Sequence, residues 1–486
     1  MARKMKQEIT TNEGRRTLIK GAAFGAAALG LTMAGCASPD APAASGRGPE
    51  TKEYDFVIVG AGMGGACAAL AASEAGLNYV VLEKAEERNF GGDMSMSGGV
   101  INFQPPDRLY ELLMDYSGGK ADRVITRTMA DNCKKSVEWL MDHGISLEDR
   151  GVTVGHPGNG PGLAEELRDL LNEKGAEIHY KTKAANLILD EAENRVTGVL
   201  AINEEGKRVA YKAAKGVLLA SGSYLANEEM MLRYAGSRDI IARGYSHNTG
   251  DGHRMAMEAR AQMLNMADMH GSPIDPESRA PFLGWYLHGI VVNQECERFV
   301  DEMNPPTNYV VMGKAITRQP GGIAYAILDD KWRDLVGEWF QNYYLNQFNG
   351  TLLEADTIPE LAEKLGLDPD RLVQAVEEYN NAVDEENNTA MTLSPPKTGE
   401  ARRLINPPFV ATSLVNGSAL SFGGARVNGN AQVLDLEGQP IPGLYAAGRT
   451  VGGLFYDEYV GDEAHGSACG DAMVFGRIAA QSAAAE

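Results

Sequence analysis

Apolar residues along the chain fall into three rhythms, and each predicts a different element. Phe56-Val57-Ile58-Val59 and Tyr79-Val80-Val81-Leu82 are short, β-branched apolar runs of the kind that strands buried on both faces require. Between them Ala66 to Ala75 is Ala-rich and helical, so the folded region opens as strand, helix, strand. Alternation of apolar and polar residues predicts a small meander over 176–222, with strands at Ala185 to Leu189, Val196 to Ile202 and Gly216 to Ala220. Helical spacing marks 107–143 and 162–174, then Leu352 to Leu365, Pro369 to Val383 and about 464–484. Asp368-Pro369 supplies a helix-start signal for the fourth of these.

Composition narrows the class. A chain of 486 residues is too long for one ordinary domain, and 44% hydrophobic with 23% charged residues is the balance of a globular protein with ample core. Glycine is high at 56 residues, which implies many places where backbone approaches something closely. The net charge of −21, with no basic stripe, argues against nucleic acid as a partner.

The first 50 residues differ from the rest. Residues 1–36 carry six basic and two acidic side chains, so the remainder holds 39 basic against 64 acidic residues, a charge of −25. Arg15-Arg16-Thr17-Leu18-Ile19-Lys20 opens an apolar, small-residue run from Gly21 to Gly35 that is too short to span a membrane. The segment resembles a twin-arginine export signal, whose route carries proteins already folded around a cofactor. Met33-Ala34-Gly35-Cys36 resembles a bacterial lipoprotein box, with Met where Leu is usual, which makes Cys36 a candidate lipid anchor and the only expected membrane contact. An ordinary basic amphipathic terminus is the alternative. Residues 37–50, rich in Ala, Ser, Pro and Gly, read as a flexible tether. The expected location is therefore the periplasm or the outer face of the membrane.

Cys67, Cys133, Cys296 and Cys469 form no Cys-x-x-Cys and no Cys-x-x-Cys-His, so the spacing supports neither a zinc site, an iron–sulfur cluster nor covalent haem. Disulfides and buried free thiols both remain open for them. No metal is expected, and redox chemistry would have to use a bound organic cofactor.

The most specific signal is Gly60-Ala61-Gly62-Met63-Gly64-Gly65, between the first strand and the helix. Gly60 permits a tight turn, Gly62 lets backbone approach a pyrophosphate and Gly65 allows close helix–strand packing. The helix N-terminus offers free N–H groups to phosphates, and Glu83, closing the second strand, can accept from a ribose hydroxyl. Strand, glycines, helix, strand and acid together mark a dinucleotide site.

Four further blocks lie in order along the chain: Phe90-Gly91-Gly92-Asp93-Met94-Ser95-Met96-Ser97-Gly98-Gly99, Val217-Leu218-Leu219-Ala220-Ser221-Gly222, Ile441-Pro442-Gly443-Leu444-Tyr445-Ala446-Ala447-Gly448-Arg449, and Gly470-Asp471-Ala472-Met473. With the glycine loop they resemble the fumarate reductase/succinate dehydrogenase flavoprotein superfamily over essentially all of 51–486. The resemblance implies FAD as cofactor and an α/β fold: a Rossmann-like FAD-binding domain of the GR2 type, interrupted by an inserted α+β capping domain. The FAD-binding domain would occupy 51–268 and 418–486, and the cap 269–417. Cofactor contacts are implied for Gly64 and Lys84, for Gly91, Gly92, Asp93, Ser97 and Gly98, for Ala220, Ser221 and Gly222, for Gly448 and Arg449, and for Ser467 and Ala468.

The family transfers hydride between flavin N5 and a carbon of a C–C or activated C=C bond, while an acid or base moves a proton. Where fumarate reductases carry paired histidines, this chain reads Ala419-Leu420-Ser421-Phe422-Gly423-Gly424. Arg298-Phe299-Val300-Asp301-Glu302 resembles a family motif, but no arginine follows it, and Tyr459 stands at the position of a second arginine. A small dicarboxylate would lose charge-assisted hydrogen bonds worth roughly 1.5–3 kcal/mol each. The replacements resemble tricarballylate dehydrogenases around Arg298, Asn308-Tyr309 and Tyr456, and 3-ketosteroid dehydrogenases around Gly448-Arg449-Thr450 and Tyr459. Tyr309, Tyr459 and Tyr456 are then the candidates for proton transfer and carbonyl polarisation, each with ring packing as the alternative. His465 is a candidate proton relay, and Arg298 either a catalytic residue or a pin for the cap.

The expectation is an exported FAD-dependent reductase of an enone or enoate. A 3-ketosteroid- or tricarballylate-type dehydrogenase is the reverse reading, and an electron-transfer flavoprotein module without its own substrate is the alternative of another class. Its partners would be a small unsaturated substrate and a separate haem protein or quinone-linked electron carrier.

Overall fold

A computed structural model describes residues 49–486 apart from 283, 304–308, 348 and 457–462. The leader, most of the tether and the candidate Tyr459 lie outside the described residues.

The first strand, Glu50–Val59, is the centre of the larger sheet. Its apolar half pairs in parallel with Tyr79–Leu82 on one side and with the end of Arg208–Leu219 on the other, so that Val57 lies beside both Val80 and Val217. Pro440–Ala446 adds in parallel beyond Arg208–Leu219, with Leu444 opposite Val217. These runs read as unbroken apolar because their side chains are buried: the helices Met63–Glu74 and Ser467–Ala485 pack on each other and against the sheet. The meander exists as Lys183–Asp190, Arg195–Ile202 and Arg208–Leu219. Its last strand is twelve residues long and serves both ladders, where only its end reads as a strand in the sequence.

The smaller sheet forms the cap. Phe409–Ser421 is its spine, pairing with Met269–Ile274, Ile323–Leu328 and Leu353–Ala355, all antiparallel. Alternation sorts the two faces: Ile290, Val292, Ile327 and Ala411 pack against Leu361, Leu372 and Tyr379, whereas Val291, Ala326, Leu328 and Val410 pack against Trp285, Phe340 and Tyr344. The spine runs four residues past 417, and Ile241–Ala242 joins it beside Gly417 and Ser418, so the cap sheet also takes strands from outside 269–417.

Two helical readings change. The pattern over 107–143 is two helices, Pro106–Tyr116 and Arg123–Asp142, because Asp122 caps the second through the Val124 and Ile125 N–H groups. The stretch Leu352 to Leu365 begins as the strand Leu353–Ala355 and becomes helical only at Ile358, after Thr357 accepts from the Glu360 N–H. Pro369–Ala382 starts at Asp368 as the sequence predicts. Cys67, Cys133, Cys296 and Cys469 are all free thiols, and burial pushes the first two up to about 12.

Candidate functional site: a cofactor cavity between the glycine loop and the C-terminal helix

Val59 delivers the chain to the sheet's edge, and Gly60 turns it at φ +104°, a conformation that disfavours any side chain. The helix Met63–Glu74 then starts so close to the turn that a Cβ on Gly65 would overlap the Gly60 carbonyl oxygen. The loop, the helix start and the end of the second strand form one wall of a cavity.

Sixteen of the eighteen residues expected to touch the cofactor line this cavity: Gly60, Gly62, Gly64, Glu83, Lys84, Gly91, Gly92, Asp93, Ser97, Gly98, Ala220, Ser221, Gly222, Gly448, Arg449 and Ala468. The other two stand behind it. Gly65 makes the helix–strand approach, and the Ser467 hydroxyl turns inward to donate to the Ala464 carbonyl at 2.6 Å. His465 also lines the cavity.

Polar groups in the wall are held in place. Glu83 accepts from the Ala61 N–H through Oε2 and from the Ala85 N–H through Oε1, both at 2.8 Å. Lys84 Nζ donates to Thr249 Oγ1 and Asp251 Oδ2 at 2.7 Å each, and Lys183 reaches Asp251 Oδ1 at 3.2 Å. Although burial raises the Asp251 carboxyl, these two ammonium groups hold it below its ordinary range. Asp93 accepts from the Tyr245 N–H at 2.8 Å and from Asn248 Nδ2 at 2.7 Å, yet burial keeps its carboxyl above the ordinary range. Tyr245, Asn248 and Asp251 therefore belong to the cavity although the sequence marks none of them as cofactor contacts. A signal existed for Asp251, in the Gly250-Asp251-Gly252 turn; none existed for the other two.

Arg449 and Asp471 form a buried ion pair, and the guanidinium lies 4.9 Å from the centre of the Phe455 ring. Burial pushes the Asp471 carboxyl up to about 6 against the pull of Arg449. Arg449 Nε and Nη1 are buried with no partner among the described residues; what fits a bound dinucleotide is the cradle at Gly60 and Gly65, where a Cβ would meet backbone. Outside the cavity lining, Phe455 packs on Phe422 at 5.5 Å, and Phe422 meets the His270 ring edge-on at 6.4 Å. His253 Nε2 donates to the Gly423 carbonyl at 2.9 Å, and burial lowers His253 to about 4. His270 is lowered to about 4 by burial and, secondarily, by the charge of Arg243.

The catalytic candidates fare differently. Arg298 takes the second of its two readings, a pin for the cap: it is 7% exposed, paired with the buried Glu302 and bonded to the Pro395 carbonyl at 2.7 Å, inside the cap and away from the cavity wall. Two further interactions explain why it is held there: Glu302 accepts from the Val291 N–H, and the fully buried Lys397 lies 3.8 Å from Glu302. Tyr456 is half-buried and its phenol is raised by burial, then by Asp268 and Asp122, but it does not line the cavity. Tyr309 begins the helix Tyr309–Thr317, which packs on Met269–Ile274 and the spine. The Tyr309 side chain and the whole of Tyr459 lie outside the described residues.

The model of the family described as FAD binding domain matches residues 55–457. A urocanate reductase of Eggerthella lenta is 30% identical over 480 residues, covering 90% of this chain and 75% of that protein. An NADH:fumarate oxidoreductase of Klebsiella pneumoniae is 27% identical over 90% of this chain, which spans only 48% of that protein's length. Among solved structures, the open conformation of a flavocytochrome c3 fumarate reductase superposes with a TM-score of 0.73 at 27% identity, over 90% of this chain and 79% of the other. A 3-ketosteroid-Δ4-(5α)-dehydrogenase from Rhodococcus jostii shares the fold at 23% identity, with a TM-score of 0.70 over 90% of this chain and 99% of the other. With the cavity's glycine turn and the sixteen expected residues that line it, these findings establish that the chain belongs to the FAD binding domain family and is an FAD-dependent oxidoreductase of the fumarate reductase-like flavoproteins.

Proposed function

We propose that the protein reduces a C=C bond conjugated to a carbonyl, in an enone or an enoate larger than fumarate. FAD supplies the hydride at N5 when bound. The observation that carries the reading is the Ala419-Leu420-Ser421-Phe422-Gly423-Gly424 segment, where the apolar Leu420 lines the cavity and the buried Phe422 packs on Phe455. An apolar side chain at Leu420 suits a conjugated hydrocarbon face and offers no donor to a second carboxylate. The reductive direction is supported by the names of two relatives, a urocanate reductase and a fumarate reductase.

In this reading the chain's own residues orient the conjugated system against the apolar segment at Leu420, and a tyrosine donates the proton at the carbon opposite the hydride. Tyr309 is the proposed donor. It sits at the first residue of a helix whose Gly313 packs against Ser272 and Asn416, so the helix start is held to the strands that lead into the cavity. Tyr459 is the proposed donor to the substrate carbonyl, where negative charge develops. Export by the twin-arginine route, an anchor at Cys36 and a separate haem or quinone-linked electron donor belong to the same proposal. Supporting the last point, the relative of solved structure is a flavocytochrome, whereas this sequence holds no Cys-x-x-Cys-His.

The test is reoxidation of the dithionite-reduced holoprotein by a panel of steroid enones, aromatic enoates, unsaturated tricarboxylates and fumarate. Rapid bleaching reversal by a conjugated substrate, with fumarate inert, is expected. Inertness to the whole panel would favour an electron-transfer module instead. Tyr309→Phe should lower turnover by roughly 10²–10⁴-fold with substrate binding retained; full activity in that variant removes the proton-transfer assignment.

A further inference from the structure

One amide in the cap ties the helix Tyr309–Thr317 to the spine. Asn416, 2% exposed, donates through Nδ2 to Thr317 Oγ1 at 2.8 Å, and that hydroxyl donates to the Gly313 carbonyl at 3.0 Å. Asn416 Oδ1 lies against the bare α-carbons of Gly313 and Gly271: a Cβ on them would come within 2.5 and 2.7 Å of it. Positions 309, 313 and 317 follow at intervals of four and share one helix face. Asn416 touches that face at 313 and 317.

The direction of the helix is set by the same contacts. Thr317 lies at the rung where Asn416 pairs with Pro273, and Gly313 lies by Ser272, on the next rung. Lys314 Nζ reaches Asp268 at 3.5 Å, just before the strand Met269–Ile274 begins. About 12 Å of helix separates Thr317 from Tyr309, and about 13 Å of strand separates Pro273 from Met269. The helix start is thereby carried toward the Met269–Ser421 rung, next to Leu420 in the cavity wall.

Stability alone does not ask for an amide here. Asparagine is a poor strand former, and Asn416 Oδ1 is buried with no hydrogen-bond partner among the described residues. A leucine of similar volume would bury without that cost. What the amide adds is direction, since its hydrogen bond fixes where along the strand the helix sits.

We propose that Asn416 is a positioning residue: it sets how far the helix start, and with it Tyr309, advances toward Leu420 and the cavity. The inference rests on Tyr309 as the proton donor and adds the group that places it. A shift of about 1 Å at the helix start would misplace the donor without altering any contact to the flavin.

The experiment is single-turnover reoxidation of the dithionite-reduced holoprotein by cinnamate, an aromatic enoate, in Asn416→Leu, Tyr309→Phe and the double variant. Asn416→Leu is expected to slow reoxidation about 10–100-fold with cinnamate affinity unchanged, and to slow Tyr309→Phe no further. Its thermal midpoint should stay near wild type, because Thr317 Oγ1 still holds the Gly313 carbonyl. Thr317→Val removes the acceptor at the other end of the tie and should repeat the loss, whereas Thr317→Ser keeps the hydroxyl and the rate. If Asn416→Leu does not fold, Thr317→Val decides in its place. A full rate in Asn416→Leu beside a slow Tyr309→Phe overturns this inference alone. A full rate in Tyr309→Phe overturns the donor assignment and this inference with it. Undiminished further slowing of Tyr309→Phe by Asn416→Leu also overturns it, since the asparagine would then act elsewhere. If cinnamate does not reoxidise the wild type, fluorine NMR of fluorotyrosine-labelled protein decides. The resonance missing from Tyr309→Phe should move in Asn416→Leu, and an unmoved resonance overturns the inference.

Discussion

Glu83 Oε2 accepts the Ala61 N–H at 2.8 Å, so the acid that ends the second strand clamps the glycine loop at the end of the first. The same carboxylate accepts from Ala85 through its other oxygen. Its role is therefore double: it holds the loop in shape and leaves lone pairs for a ribose hydroxyl. Charge-assisted bonds of this kind are worth roughly 1.5–3 kcal/mol each. Glu83→Ala is expected to loosen FAD by roughly 10–100-fold, and Glu83→Gln by less; flavin fluorescence on dilution measures both.

Two glycines with positive-φ or close-packed backbone make a matched comparison. Gly65→Ala puts a methyl group into the Gly60 carbonyl, with rigid backbone on both sides. Gly76 has φ +69° but open space around it. Gly65→Ala is expected to abolish the yellow holoprotein, whereas Gly76→Ala should cost about 1 kcal/mol and leave FAD in place. Absorbance ratios of the purified variants, with thermal unfolding, separate the two.

The buried group in the cap sets a stability test apart from the cofactor. Glu302 faces Arg298 and Lys397, all three 7% exposed or less. Removing the carboxylate leaves two buried cations without a counter-charge, so Glu302→Gln is expected to destabilise by about 3–5 kcal/mol. Denaturant unfolding should show that loss while the FAD dissociation constant stays near wild type.

His253 gives a pH dependence of defined sign. Its pKa is lowered from 6.5 to about 4 by burial, so the unfolded chain binds a proton that the folded chain refuses across that interval. The contribution to stability is complete above pH 6.5 and declines by about 3 kcal/mol as pH falls to 4. His253→Gln, which can still donate to the Gly423 carbonyl, should flatten that part of the profile. Unfolding midpoints of both proteins at pH 7 and pH 5 check this as a difference, since His270 titrates in the same interval.

The cofactor wall was legible in the sequence to the extent that its chemistry is local. Gly60 to Glu83 form one continuous strand–turn–helix–strand unit, so spacing alone places every group. Tyr245 and Asn248 escaped because their link to Asp93 spans 152 and 155 residues, and nothing in their immediate neighbours marks them. Leu353–Ala355 carried a helical pattern but became a strand, since the spine offers a free ladder opposite Phe409 to Ala411 and tertiary pairing outweighs propensity. Arg298 shows a different limit. A motif gives the residue type, while the direction of its side chain was set by Glu302, four residues on, and by Pro395, ninety-seven residues on.

The thirteen-residue spine Phe409–Ser421 carries a consequence for how the family's caps can vary. It is a ruler, about 40 Å long at roughly 3.3 Å per residue, graduated in steps that alternate between two faces. One end is read by the core of the cap and the other by the cavity, where Leu420 forms part of the wall. Helices and loops hung on the ruler can lengthen or disappear without altering its graduations. A single residue inserted within it would exchange the faces of everything downstream, turning Leu420 away from the cavity. Diversification of substrate is thus free to work on what the spine carries, but not on its length.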